Sequence, residues 1–219
     1  MRDAERRFET LRMRIEERTA AAAGELLVAS EVFIRHPGWA RVTTSEPSLG
    51  AAGNYEIWLS DGETVRSYSA PRRLATQRPV RTRVRGADDP DLPGFAQLYE
   101  PITPLPTETL PELFVHPAGY CQNVLATGRC DVLGTDEVSG REAIVLGCAH
   151  PRAVERVADR PDFAVRVAVD RDTGAILRLT ETTATIVTRD AIATVFEPDA
   201  KLPSTAFTLT IPEGTTTLF

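Results

Sequence analysis

The chain has 219 residues, 42% hydrophobic and 26% charged, which is long enough for one well-buried core and short for two, so a single domain over 1–219 is expected. A formal net charge of -6 gives no long-range attraction for nucleic acid or an anionic membrane, and any partner has to be recognised locally. The longest nearly apolar run, residues 20–29, is too short to span a bilayer and contains Glu25, so no integral membrane segment is expected.

In chain order, residues 1–24 are expected to form an N-terminal helix. Asp3 is placed to cap it, and Ala4, Phe8, Leu11 and Ile15 recur at spacings of four and three as one core-facing stripe. The opening MRDAERRFETLRMRIEERTA mixes six arginines with five acids, unlike a secretory leader, so the chain as written is expected in the cytoplasm. Removal of a leader would instead place it in the cell envelope or outside the cell.

Residues 25–85 read as a first block of strands: LLVASEVFIR, WARVTTSE after His36-Pro37-Gly38, NYEIWLS, and TVRSYS after Asp61-Gly62. The stretch from Arg72 to Arg85 holds six arginines and no acid. An anion site is one reading, but Arg81, Arg83 and Arg85 alternate with Thr82 and Val84 and no aromatics interleave, which favours the solvated face of an edge strand.

Residues 86–126 form a Pro-rich lid and helices. Pro90, Pro93, Pro101, Pro104, Pro106 and Pro111 surround a short apolar island at 94–100, and ELFVHPAGYCQNVLA follows as broken helices. Residues 127–219 return to strands: RCDVLG, EAIVLGC, a hairpin, the long TATIVTRDAIATVFE, and a closing TAFTLTIPEG.

The hairpin AVDRDTGAILRLTE (168–181) nearly follows a calcium loop, with Asp170, Asp172 and Glu181 at its first, third and twelfth places. Gly174 and Ala175 fail the fifth and sixth. Val165, Val167 and Val169 before it, and Leu177 and Leu179 after it, have the period of strands rather than of flanking helices, so a turn is expected and no metal.

Cys121, Cys130 and Cys148 are spaced C-x8-C and C-x17-C, which fits no common zinc pattern. Three buried thiols in a reducing compartment are favoured over a Cys121–Cys130 bridge in an oxidising one. His36, His116 and His150 each precede a proline and share no segment, which argues against a three-histidine metal site. No nucleophile elbow, P-loop or dinucleotide fingerprint occurs, and no carboxylate pair stands out as catalytic.

VFIRHPGWARV (32–42), IWLSDGETVRSY (57–68) and AFTLTIPEG (206–214), together with the D-x-x-T-G hairpin, resemble the LolA-like lipoprotein-carrier superfamily, which includes RseB-type sensors and mycobacterial lipid-binding lipoproteins. The resemblance implies an α+β fold: a strongly curved antiparallel half-barrel of about ten strands, an N-terminal helix, and short lid helices across the concave face. It implies an acyl chain or other hydrophobic small molecule as partner, and no cofactor. In the lipoprotein carrier an arginine before the proline holds the lid shut; here His36 stands there, with Arg35 beside it.

These readings converge on a non-enzymatic carrier or sensor, with Arg35, His36, Trp39, Ile57, Leu59, Phe114, Val165 and Leu177 as the expected ligand-binding residues and no catalytic or metal-binding ones. The alternative is a cofactor-free enzyme that uses the same cavity to orient a hydrophobic or aromatic intermediate. An RseB-like regulator would require an additional domain.

Overall fold

A computed structural model describes residues 1–21, 24–47, 53–80, 101–151 and 162–219. Among these residues twelve strands form one open sheet, in the order β12-β6-β5-β4-β3-β2-β1-β11-β10-β9-β8-β7. Two meanders build it. β1 (Thr10–Ala21), β2 (Gly24–Arg35), β3 (Trp39–Ser45), β4 (Tyr55–Asp61), β5 (Thr64–Ser69) and β6 (Leu74–Pro79) run outward as consecutive neighbours. β7 (Arg129–Val138), β8 (Arg141–Ala149), β9 (Phe163–Asp170), β10 (Ile176–Thr183) and β11 (Ile186–Pro198) run back inward.

The two meanders join where β1 pairs antiparallel with β11, from Leu11 opposite Pro198 to Thr19 opposite Arg189. Asp199 secures the seam: its backbone N–H donates to Thr10 O at 2.7 Å and its carboxylate accepts from Glu9 N at 2.7 Å. β12 (Thr216–Leu218) adds alongside β6 as the one parallel pair among these strands.

The expected N-terminal helix is therefore a correction. Only Ala4–Arg7 is helical, as one 3-10 turn, and Thr10–Ala21 is the central strand. Ala4, Phe8, Leu11 and Ile15 do fit a helical stripe, but Leu11, Met13 and Ile15 also alternate with Arg12 and Arg14. The strand period prevails because it puts three fully buried side chains against β2 and β11 and leaves the arginines exposed.

A second correction concerns 205–214, expected as the closing strand. The segment turns instead, with Ala206 N donating to Pro203 O and Thr208 N to Thr205 O. Arginines from β3 and from the β5–β6 turn take up carbonyls that a ladder would have used: Arg41 donates to Thr208 O at 2.9 Å and Arg73 to Glu213 O at 3.0 Å. Pro203 and Pro212 lack the N–H a ladder needs. The expected edge strand through Arg81, Arg83 and Arg85 and the apolar island at 94–100 lie outside the described residues.

The broken helices are α1 (Leu110–Val115) and α2 (Ala118–Asn123), followed by a 3-10 turn at Leu125–Thr127. Thr109 caps α1, accepting from Glu112 N, while the Glu112 carboxylate reaches back to Glu108 N at 2.7 Å. Pro117 ends the first helix, since the residue before a proline avoids the helical region.

Directly paired residues share a sheet face, so the register sorts the side chains. One row runs Val132, Leu146, Val167, Leu179, Ala191, Glu17, Val28. A parallel row on the same face runs Phe196, Met13, Val32, Val42, Trp58. Phe114 and Val115 of α1, both fully buried, join one cluster with Val167, Leu179, Ala191, Met13, Val32 and Val42 of these rows, so the 101–127 segment packs on this inner face. The outer face carries Arg12, Phe33, Arg41, Leu59 and Arg66.

The 168–181 stretch is the β9–β10 hairpin, with Gly174 at φ +81° in its turn. Asp170 accepts from Arg141 Nε at 2.6 Å and Nη2 at 3.0 Å, and from Thr173 N and Oγ1 at 2.8 and 2.7 Å. Its carboxylate ties the turn to β8.

Candidate functional site

Four chain segments that are distant in sequence meet at one end of the inner face. Glu5 comes from the N-terminal 3-10 turn, His36 from the β2–β3 turn, Thr103 from the strand-free stretch before α1, and His116 from the C-terminus of α1. Glu5, Thr103 and His116 are buried. The Glu5 carboxylate accepts from Ile102 N at 3.0 and 3.1 Å, and its Oε2 lies 3.0 Å from His116 Nε2.

Beside that pair, His36 Nδ1 lies 2.7 Å from Thr103 Oγ1, which also accepts from Gly38 N at 2.8 Å. The His36 ring stacks on Phe8, with centroids 5.3 Å apart. Burial lowers the His36 pKa below the ordinary histidine value; the Glu5 charge opposes this and His116 reinforces it. These contacts fasten the capping segment to the sheet at two adjacent points.

At the other end of α1 a cavity of about 210 Å³ lies between sheet and cap, lined by Ile15, Glu17, Val28, Ser30, Thr44, Arg189 and residues 108–111. Its wall is mixed. Ile15, Val28, Leu110 and Pro111 are apolar, the Ser30 and Thr44 hydroxyls pair at 3.2 Å, and Arg189 Nε donates to Glu17 at 2.5 Å while Nη1 lies 3.7 Å from Glu181. Tyr120 stands near Glu181 and Arg189, and burial first, then the Glu181 charge, raises its phenol pKa.

The expected ligand-binding residues divide between the two faces. Val165 and Leu177 belong to the inner face and share its cluster with Phe114, and His36 joins them through Phe8. Ile57 and Leu59 face the other way, both buried. Arg35 and Trp39 also lie on the outer face, where the Arg35 guanidinium stands 5.0 Å from the Trp39 and Phe207 ring centroids, so the C-terminal tail is stacked there. One sheet separates the two groups, and they do not line one cavity.

Of the three histidines, His36 and His116 meet at Glu5, while His150 sits exposed after β8. Among the described residues no group of three or more histidine, cysteine or carboxylate side chains is placed to hold a metal ion. The cysteines require a correction. Cys130 and Cys148, directly opposite on β7 and β8 with Cα atoms 4.2 Å apart, form a disulfide, and Cys121 is free and half-buried. Spacing did not indicate this pair because cross-strand partners are selected by register.

Glu5, Thr103, Glu17 and Arg189 were not among the expected residues. For Glu17 a signal exists once β1 is read as a strand: it continues the Leu11, Met13, Ile15 phase, so an acid falls on the apolar face. Glu5 gave no signal, because its burial depends on residues about a hundred positions away.

No protein-family model matches the chain, and no curated protein matches it. Among solved structures, MucB, an RseB-type protein, superposes with a TM-score of 0.53 at 13% identity over 95% of this chain and 60% of MucB. The Pseudomonas aeruginosa MucA/MucB complex gives 0.52 at 16% identity, over 95% of this chain and 59% of that one. An uncharacterized conserved protein from Thermus thermophilus gives 0.50 at 9% identity, over 99% and 94%. At these identities the likeness is one of fold, and the fold is that of MucB. The chain spans about 60% of the length of MucB.

Proposed function

We propose that the protein binds or carries a lipid or another hydrophobic ligand between the inner sheet face and the 101–127 segment, which acts as a lid, without catalysing a reaction. The chain is taken as one LolA-like domain in which the sheet forms a half-barrel. His36, Phe114, Val165 and Leu177 are the ligand-side residues of this reading. Arg35, Trp39, Ile57 and Leu59 support it from the outer face.

The observation that carries the proposal is the way the cap is attached. It covers an apolar face, is fastened by polar contacts at one end, and leaves a cavity at the other. A cavity of about 210 Å³ is below the roughly 300–1,000 Å³ usual for sites that enclose a small molecule. An acyl chain therefore enters only as the lid lifts, and the apolar surface it covers contributes roughly 25 cal/mol per Å².

Among the described residues no helix is long and apolar enough to cross a membrane. The Cys130–Cys148 bridge favours an oxidising compartment such as the cell envelope over the cytoplasm. Native mass spectrometry and solvent extraction of protein purified without detergent test the reading. Co-purifying acyl-chain compounds are expected, whereas protein that stays empty when offered such compounds and shows no uptake of them sinks the proposal.

A further inference from the structure

The polar part of the cavity is not neutral. Glu17 and Arg189 line it, Glu108 stands at its rim, and Glu181 holds the far side of the Arg189 guanidinium. Among the described residues that is one cation against three carboxylates. The Glu17, Arg189 and Glu181 side chains are 19%, 31% and 23% exposed, so solvent screens their charges only in part. Arg189 Nε donates to Glu17 and its Nη1 lies 3.7 Å from Glu181, so its charge is already offset by two carboxylates before an acidic head group arrives.

An incoming carboxylate or phosphate would therefore meet like charge, with no uncompensated cation among the described residues that line the cavity. A hydroxyl or amine finds acceptors in Glu17 and Glu108, and a hydroxyl also finds the Ser30–Thr44 pair on the cavity floor. Ile15, Val28, Leu110 and Pro111 form the apolar wall in which the first part of a chain would lie.

Resting on the proposed hydrophobic site, we infer that this cavity takes the head group of the ligand, and that the head group is a neutral hydroxylated or a cationic amine group, acids being rejected.

Displacement of the neutral fluorescent probe N-phenyl-1-naphthylamine tests this, using oleic acid, 1-monooleoylglycerol and oleylamine as competitors at pH 7.5 below their aggregation concentrations. The monoglyceride and the amine are expected to displace the probe at concentrations roughly tenfold lower than the acid. Equal or better displacement by oleic acid overturns the head-group assignment while leaving the hydrophobic site standing; failure of the protein to take up the probe at all overturns the site on which it rests.

Glu17→Gln supplies a test that loss of folding cannot mimic. The change frees Arg189 from its nearest carboxylate, and the affinity for oleic acid relative to that for the monoglyceride is expected to rise about tenfold. A variant whose preference order is unchanged contradicts the assignment.

Discussion

The Nε2 of His116 lies 3.0 Å from Oε2 of Glu5, and both side chains are almost completely shielded, 4% and 0% exposed. This pair joins α1 to the N-terminal turn. Breaking a buried pair by removing one partner costs roughly 3–5 kcal/mol, because the other is left buried without its counterpart. Glu5→Ala is expected to lower the unfolding free energy by about 3 kcal/mol or more in urea titrations. A loss under about 1 kcal/mol, in the range of an exposed pair, would mean that the pair does not fasten the cap.

His36 makes the same junction sensitive to pH. Burial holds its pKa below 6.5, so between that lowered value and 6.5 the unfolded chain binds more protons than the folded one. Its contribution is fully present above pH 6.5, falls as pH drops through this window, and levels off below the folded pKa. Glu5 and His116 are the titratable groups acting on it, the first raising and the second lowering its pKa. Stability measured at steps from pH 7.5 to 5 is expected to decline, and His36→Gln is expected to flatten the decline; an equally steep curve in the variant would assign it to other groups.

Asp170 acts in a separate, more acidic window. Its burial raises the pKa, but the hydrogen bonds from Arg141 and Thr173 outweigh this and hold it below 3.8. Its contribution is present above 3.8 and is lost as pH falls through the lower folded value. Asp170→Asn is expected to leave the pH 5–6.5 slope intact and to remove part of the loss at lower pH. Acid unfolding monitored by circular dichroism reads both windows in one experiment.

Gly38 stands where two turns touch. A Cβ added there would lie 2.7 Å from Gly62 Cα, and its φ of +84° is one that side chains rarely adopt. Gly38→Ala is expected to cost about 1–3 kcal/mol and to disturb the neighbouring Gly38–Thr103 hydrogen bond. Faster proteolysis within 101–127 would report that disturbance. Unchanged stability and cleavage would show that the two turns can separate freely.

The Cys130–Cys148 bridge closes a short loop, with a sequence separation of 18, across the edge of the sheet. In the chain-entropy model a loop of this order contributes about 3 kcal/mol. Reduction, or Cys148→Ser, is expected to lower stability by about that amount, whereas loss of the free Cys121 thiol in Cys121→Ser is expected to matter little for stability. Mass mapping of oxidised protein checks the pairing itself.

Much of the sheet was legible because turn chemistry and alternation coincide. TVRSYS after Asp61-Gly62 is β5, Thr64–Ser69, residue for residue, and the strands on either side of Asp170-x-x-Thr-Gly form a hairpin. The first strand was hidden because Leu11 and Ile15 satisfy helical and strand periods at once, and only the partners β2 and β11 decide between them. Which face each strand's apolar residues take was not legible for a related reason. Ile57 and Leu59 alternate as cleanly as Val165 and Val167, but which face the cap covers depends on register across the whole sheet. The buried Glu5–His116 pair joins residues whose proximity no local pattern encodes.

The central claim, that a hydrophobic ligand lies between the inner face and the cap, is tested most directly by a long-chain alcohol carrying a photoactivatable diazirine. After irradiation of the loaded protein, peptide mapping is expected to place the label on inner-face and cap residues such as Phe114, Val165, Val167 and Leu179. Label confined to the outer face, around Trp39, Ile57 and Leu59, would contradict the account.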